Sequence, residues 1–289
     1  SLESVEFDET LQDYLRKGYA AGESLGRKGN AIGFVMTVYR KLAASSAAAI
    51  HRALSNRLQR LLDDQTTGAS AYEPSDERYL GEWEEQFTSD AHEFFAGEAQ
   101  LLKDLISEAA VLKANDVKLK LFIEEIIGTI HAAHADEKVL IFTEYRATQN
   151  YLRDALAEYY GCDQVELING SMQHVERREA IKRFEEQGRF LISTEAGGEG
   201  INLQSKCHIM VNYDLPWNPM RLVQRIGRLY CYGQKKKVVV FNIQQGNSLD
   251  QNFVDLMYER IDSVVIDLAE VQQHEFNDGL KDEILGQLA

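Results

Sequence analysis

Between Lys138 and Ile243, short runs of Val, Ile, Leu and Phe recur at intervals that helices can fill. This alternation constrains the fold more than any other feature of the chain. The runs are Lys138–Thr143, Gln164–Ile168, Arg189–Ser193, His208–Tyr213 and Val238–Ile243, with helical segments near 147–159, 174–187, 219–230 and 249–270. Near-continuous apolar strands separated by helices point to an α/β fold with a parallel sheet and helices on both faces. Connections in such a sheet are right-handed crossovers, and ligands bind beyond the carboxyl ends of the strands.

The first third reads differently. From Asn30, the positions Ile32, Val35, Met36, Tyr39, Leu42, Ile50, Leu54, Leu58 and Leu61 follow helical spacing. Unbroken, this helix would extend about 50 Å at about 1.5 Å per residue, with a break near Ser45–Ser46 as the alternative. Thr66–Asp76 has the Gly, Ser and Pro content of a loop, and residues 77–93 are acidic with weak periodicity. Further helices are expected from Phe94 to Lys113 and from Val117 to His134. The expected organisation is a mainly helical region at 1–115, the α/β domain at 116–270 and a polar tail at 271–289.

Composition narrows the function. A chain of 289 residues with 44% hydrophobic and 27% charged side chains reads as an ordinary globular protein, with no apolar run of membrane-spanning length. Cys162, Cys207 and Cys231 have no CxxC spacing, which argues against a disulfide framework and for a reducing cytoplasm. Cys162 and Cys207 are expected in or near the core. A net charge of −15 argues against coating nucleic acid non-specifically. Residues 205–237 nonetheless hold seven basic side chains (Lys206, Arg221, Arg225, Arg228, Lys235, Lys236, Lys237) against a single acid, Asp214. A basic patch on an acidic body suits a focused anion site, although Lys235–Lys237 alone reads equally well as a solvated run.

Two segments carry the anion chemistry. Ser193–Leu203 (STEAGGEGINL) follows a strand directly, and its glycines permit positive φ and close backbone approach to an anion; alone, such a segment is as often a tight turn. Thr194 adds a hydroxyl donor. Asn218–Pro219 reads as an N-cap and first helical residue. The helix it opens places Gln224, Arg228 and Cys231 on one stripe, with Leu222, Ile226 and Leu229 on an apolar stripe and Arg225 beside the polar one. His131 and His134, with Asp136 and Glu137 nearby, lack the further ligands a metal site requires, so no metal is expected.

The segments TEAGGEGINLQ, NYDLPWNP and QRIGRLYCYGQ resemble motifs V and VI of superfamily 2 helicase-like ATPases, specifically the SWI/SNF-type DNA translocases. KVLIFTEY at 138–145 resembles motif IV, and Gly170 and Arg177 match the segment after it. The resemblance covers about 136–245 and implies a RecA-like second motor lobe that completes an ATP cleft. On that basis Thr194 would touch a DNA backbone phosphate, and Gly200 and Asn202 would lie near the nucleotide. Gln224, Arg225 and Arg228 would face the triphosphate, with Arg228 as the arginine finger.

Two departures accompany the match. No GxxxxGK(S/T) phosphate loop and no magnesium-binding Asp-Glu pair are present, so ATP and Mg²⁺ are expected only with a first lobe supplied by the same or a partner chain. Alone, the chain is expected not to hydrolyse ATP. Cys231 stands where the family has a second arginine, so Arg225, Arg228 or one of Lys235–Lys237 compensates, or the parent is a weakened ATPase. The remaining motif positions are intact, which favours an active parent. The expected partners are double-stranded DNA, the first lobe and a protein on the helical region, with no membrane, in a bacterial cytoplasm at the nucleoid. The competing readings are a non-catalytic interaction domain and part of an RNA helicase.

Overall fold

In the computed structural model the apolar runs become strands because both of their faces are covered, so every position along them excludes water. The strands are β1 (Val139–Thr143), β2 (Val165–Ile168), β3 (Phe190–Thr194), β4 (Ile209–Asn212) and β5 (Val239–Asn242). They form one parallel sheet in the order β2-β3-β1-β4-β5. The structure describes residues 2–24, 27–63, 93–133, 135–194, 198, 200, 201, 203, 205–216, 219–230 and 234–243. The expected loop at 66–76, most of 77–93, the helix near 249–270 and the tail at 271–289 lie outside these residues.

The chain divides into two compact units, Ser1–Asp116 and Val117–Ala289. The first unit contains helices α1 (Leu2–Ser24), α2 (Arg27–Ser45), α3 (Ala47–Asp63) and α4 (Glu98–Ala114). The long helix expected from Asn30 is broken at Ser46, whose hydroxyl accepts the Ala49 amide at 3.0 Å and caps α3. Helix α1 lies in the region expected to be helical, ahead of the spacing read from Asn30. It buries Phe7, Leu11, Tyr14 and Leu15, a stripe at helical spacing.

A buried ion pair fastens this unit. Arg57 of α3 donates from Nε and Nη2 to the two carboxylate oxygens of Glu98 at 2.9 Å each. The Tyr14 hydroxyl and the Phe94 amide also donate to that carboxylate, at 2.8 and 2.6 Å. Burial alone would pull the Arg57 guanidinium down, but the Glu98 carboxylate outweighs it and holds the group above its ordinary value. Burial pushes the Tyr14 phenol well above its own.

The second unit opens with α5 (Val117–Leu121), a π-helical turn (Phe122–Ile127) and α6 (Gly128–Ala133). Helices α7 (Arg146–Tyr160) and α8 (His174–Glu186) link β1 to β2 and β2 to β3, and α9 (Pro219–Ile226) lies between β4 and β5. The pleat sorts side chains to two cores. Leu140, Phe142, Leu191 and Met210 pack with Phe184 of α8 and with Leu222 and Ile226 of α9. Val139, Ile141, Ile192 and Val211 pack on the other face with Phe122 and with Leu152 and Leu156 of α7. Both faces of the sheet are therefore covered by helices, as the alternating pattern requires.

Adjacent strands β1 and β4 send their connections to opposite edges of the sheet, the first toward β2 and the second toward β5. A crevice for ligands opens above the carboxyl ends at such a switch point. In register, Thr143 lies beside Thr194 and Phe142 beside Asn212, so three strand ends meet at one level.

Replacing Glu98 by alanine strands a buried guanidinium, and the expected cost is about 3–5 kcal/mol. Denaturant unfolding followed by far-ultraviolet circular dichroism measures it. Replacing Arg57 and Glu98 together by methionine and leucine is expected to lose much less, because no uncompensated charge remains.

Candidate functional site

The carboxyl rim of the sheet is built on a layer of buried polar side chains. Thr143, Gln149, Asn169, Ser193, Thr194, Asn212, Asp214 and Arg225 are all buried there. Polar groups this deep persist when bonded, as Asp214 and Gln149 illustrate. Asp214, just past β4, accepts the Thr143 hydroxyl at 2.6 Å and the Glu144 amide at 2.8 Å, which ties β4 to the end of β1. Gln149 of α7 donates to the carbonyls of Ile168 and Ile192, both at 2.8 Å, and fixes the ends of β2 and β3.

Above this layer the glycine segment leaves β3. The Gly198 amide donates to the Thr194 carbonyl at 3.0 Å. A Cβ on residue 198 would lie 2.8 Å from Cε1 of Phe142, so the segment can cross β1 this closely only with glycine there. Gly200 has φ +75° and, among the described residues, nothing within 4 Å of where a Cβ would stand. The left-handed backbone, not crowding, selects glycine at 200, and the space beside it is open to a ligand. Ile201 and Leu203 then turn inward and bury with Leu222, Ile226 and Leu229.

Helix α9 begins at Pro219; Asn218 lies outside the described residues. The helix was expected to continue to about residue 230, but it stops at Ile226. The chain closes by shorter i→i+3 bonds, Arg228 amide to Arg225 carbonyl and Leu229 amide to Ile226 carbonyl, both 3.0 Å. The Arg228 carbonyl accepts the Leu203 amide at 3.3 Å. Arg228 therefore stands in a tight turn after the helix, and a helical stripe running from Gln224 through Arg228 to Cys231 does not describe it. That backbone bond joins the glycine segment to the arginine segment.

The site residues expected from the sequence distribute unevenly. Gly200, Gln224 and Arg228 belong to the two joined segments, with Gln224 exposed and Arg228 half-buried. Asn202 and Cys231 lie outside the described residues, as do Trp217 and His134. Thr194 ends a strand buried on both faces and is 1% exposed, so its side chain lacks the open surface a phosphate contact requires. Arg225 departs furthest from expectation. It is 1% exposed, and its Nη1 donates to Asn212 Oδ1 at 3.0 Å and to the Asp214 carbonyl at 2.9 Å. Its guanidinium faces inward over the Phe142 ring, 5.1 Å from the centroid, rather than out toward a triphosphate.

Lys236 also has a different station. Its Nζ pairs with Glu137 at 2.6 Å, and Glu137 precedes β1, at the amino edge of the sheet. Cys162 is exposed, contrary to expectation, whereas Cys207 is buried and desolvation pushes its thiol up to about 12. His131 is engaged by Arg189, Nη2 to Nδ1 2.7 Å. Among the described residues no group of three or more His, Cys, Asp or Glu side chains is placed to hold a metal.

A parallel sheet with a glycine segment and an arginine turn joined over its carboxyl rim defines the class: a RecA-like lobe of helicase type. Residues 117–233 match the helicase conserved C-terminal domain. An uncharacterized ATP-dependent helicase of Bacillus subtilis, YqhH, is 46% identical over 126 residues, 44% of this chain and 22% of that protein. The human SWI/SNF-related matrix-associated actin-dependent regulator of chromatin subfamily A member 1 is 34% identical over 154 residues, 51% of this chain and 14% of that protein. The chain thus spans less than a quarter of the length of either relative. The helicase domain of Pyrococcus furiosus Hef shares the fold at 16% identity, with a TM-score of 0.50 over 79% of this chain and 42% of that one. Residues 117–233 thus carry a helicase conserved C-terminal domain, and over this part the chain is similar to SWI/SNF-related and ISWI proteins.

Two outcomes follow from this geometry. Gly198→Ala is expected to destabilise the lobe by about 1–3 kcal/mol through overpacking. The loss should shrink when Phe142 is also replaced by leucine, as a denaturation double-mutant cycle will show. Arg225 points inward and Lys236 pairs with Glu137 at the amino edge, which leaves Arg228, Lys235 and Lys237 as the remaining cations expected to compensate for Cys231. In protein joined to its first lobe, Cys231→Arg is expected to raise kcat about tenfold or more, the equivalent of about 1.4 kcal/mol.

Proposed function

We propose that this chain is the second motor lobe of an ATP-dependent double-stranded DNA translocase. One observation carries the reading: the Leu203–Arg228 backbone bond brings the glycine segment and the arginine turn to one rim, with open space at Gly200. Backbone amides at positive φ and a guanidinium are the donors that suit phosphate oxygens. The residues present therefore fit one wall of a nucleotide cleft. Bound ATP, with Mg²⁺ held by the first lobe, supplies the phosphoanhydride whose hydrolysis drives the cycle.

In this reading Gly200 and Asn202 line the nucleotide, while Gln224 and Arg228 face the triphosphate. Arg228 acts as the finger, positioned without reorganisation because its own carbonyl is already bonded. The segment that Thr194 anchors lies against a DNA backbone phosphate, which gives grip without sequence specificity. Closure of the first lobe onto this rim couples the nucleotide state to displacement along the duplex. The chain works with a first lobe from the same or a partner polypeptide, in a bacterial cytoplasm at the nucleoid. The similarity to an ATP-dependent helicase and to a SWI/SNF-related regulator of chromatin supports this assignment.

Joined to its first lobe, the protein is expected to hydrolyse ATP faster with linear duplex DNA than with single-stranded RNA. Arg228→Ala should lower the stimulated kcat by about 10³–10⁵. Stimulation by RNA alone would make it part of an RNA helicase. No stimulation by any nucleic acid would leave an interaction domain.

A further inference from the structure

Arg225 is among the largest fully buried side chains of the described residues, and a guanidinium is an expensive group to place there. Its surroundings indicate what it does. Nη1 bridges Asn212 Oδ1 and the Asp214 carbonyl, so α9 is bonded to the end of β4 at two points. Asn212 passes the link to β5 by donating to Asn242 Oδ1 at 2.8 Å. Asp214 passes it to β1, because its carboxylate holds Thr143 and the Glu144 amide.

The Phe142 ring completes the connection. The Arg225 guanidinium lies over the ring, and the ring is also the group that leaves room only for glycine at residue 198. One aromatic side chain therefore touches both halves of the rim. Helix α9 cannot shift against β4 without moving the guanidinium. Such a movement changes the surface on which the glycine segment rests.

We propose that Arg225 is a positioning residue. Acting through Asn212, the Asp214 carbonyl and the Phe142 ring, it holds α9 and the glycine segment in the one arrangement that lets Leu203 bond to Arg228. This role rests on the function proposed above, and it moves Arg225 from the face of the triphosphate to the support beneath it. Arginine suits the position because its charge is fixed and its planar group stacks on an aromatic ring while donating at its edge. Lysine retains the charge but loses the plane.

The test is amide hydrogen exchange on the two-lobed protein as wild type, Arg225→Lys and Arg225→Met, with the Leu203 amide as reporter. The methionine variant is expected to exchange that amide about tenfold faster or more, with lysine intermediate and helices α1–α4 unchanged. In the same proteins kcat should fall while KM for ATP changes less than about threefold. Unchanged exchange at Leu203 would overturn the proposal. So would acceleration spread evenly over strands β1 to β4, since that reports general loss of stability. Absence of nucleic-acid-stimulated hydrolysis in the wild type would refute the functional reading instead, and the exchange result would still decide the positioning role.

Discussion

The lobe depends on keeping charged and polar groups bonded directly beneath the carboxyl edge of its sheet. An arginine and an aspartate buried there would each cost several kcal/mol if left unpaired. They are retained because the ends of β1 and β4 supply their partners: the Thr143 hydroxyl and the Glu144 amide on Asp214, Asn212 and the Asp214 carbonyl on Arg225. The cost of burial becomes a means of holding the rim. Strand ends that would otherwise fray are tied to one another and to α9, and the surface above them has a fixed shape.

Fixed shape matters for the chemistry assigned to the rim. Transition-state charge is stabilised best by donors that need not reorganise when charge develops. Arg228 meets that condition through its backbone, which the Leu203 amide holds in a turn instead of a further helical turn. Gly200 meets it through a left-handed conformation that other residues rarely adopt. The two glycines differ in what selects them, since residue 198 needs the absence of a Cβ and residue 200 needs the sign of φ.

Much of this was legible in the sequence. The five strands lie within a residue or two of the apolar runs, because a run covered on both faces has one physical solution at that length. The break at Ser46 and the approach of the glycine segment to the arginine segment, through Leu203 and Arg228, were also foreseeable. Arg225 was not legible in the same way. A helical wheel places it beside the polar stripe, and its burial is decided by Asn212 and Asp214 on a different element. The available signal was Asn-Tyr-Asp at the end of an apolar strand, polar residues that required a donor. Helix α1 falls within the region expected to be helical, and Phe7, Leu11, Tyr14 and Leu15 at helical spacing were the signal for its bounds.

The central claim is that the glycine segment and the arginine turn form one wall of a nucleotide site. An experimental structure of the two-lobed protein with ADP and a phosphate mimic tests it most directly. The account predicts that the Arg228 guanidinium and the Gly200 backbone contact the same nucleotide while Arg225 stays beneath them against Phe142. A bound nucleotide that touches neither Gly200 nor Arg228 would contradict it.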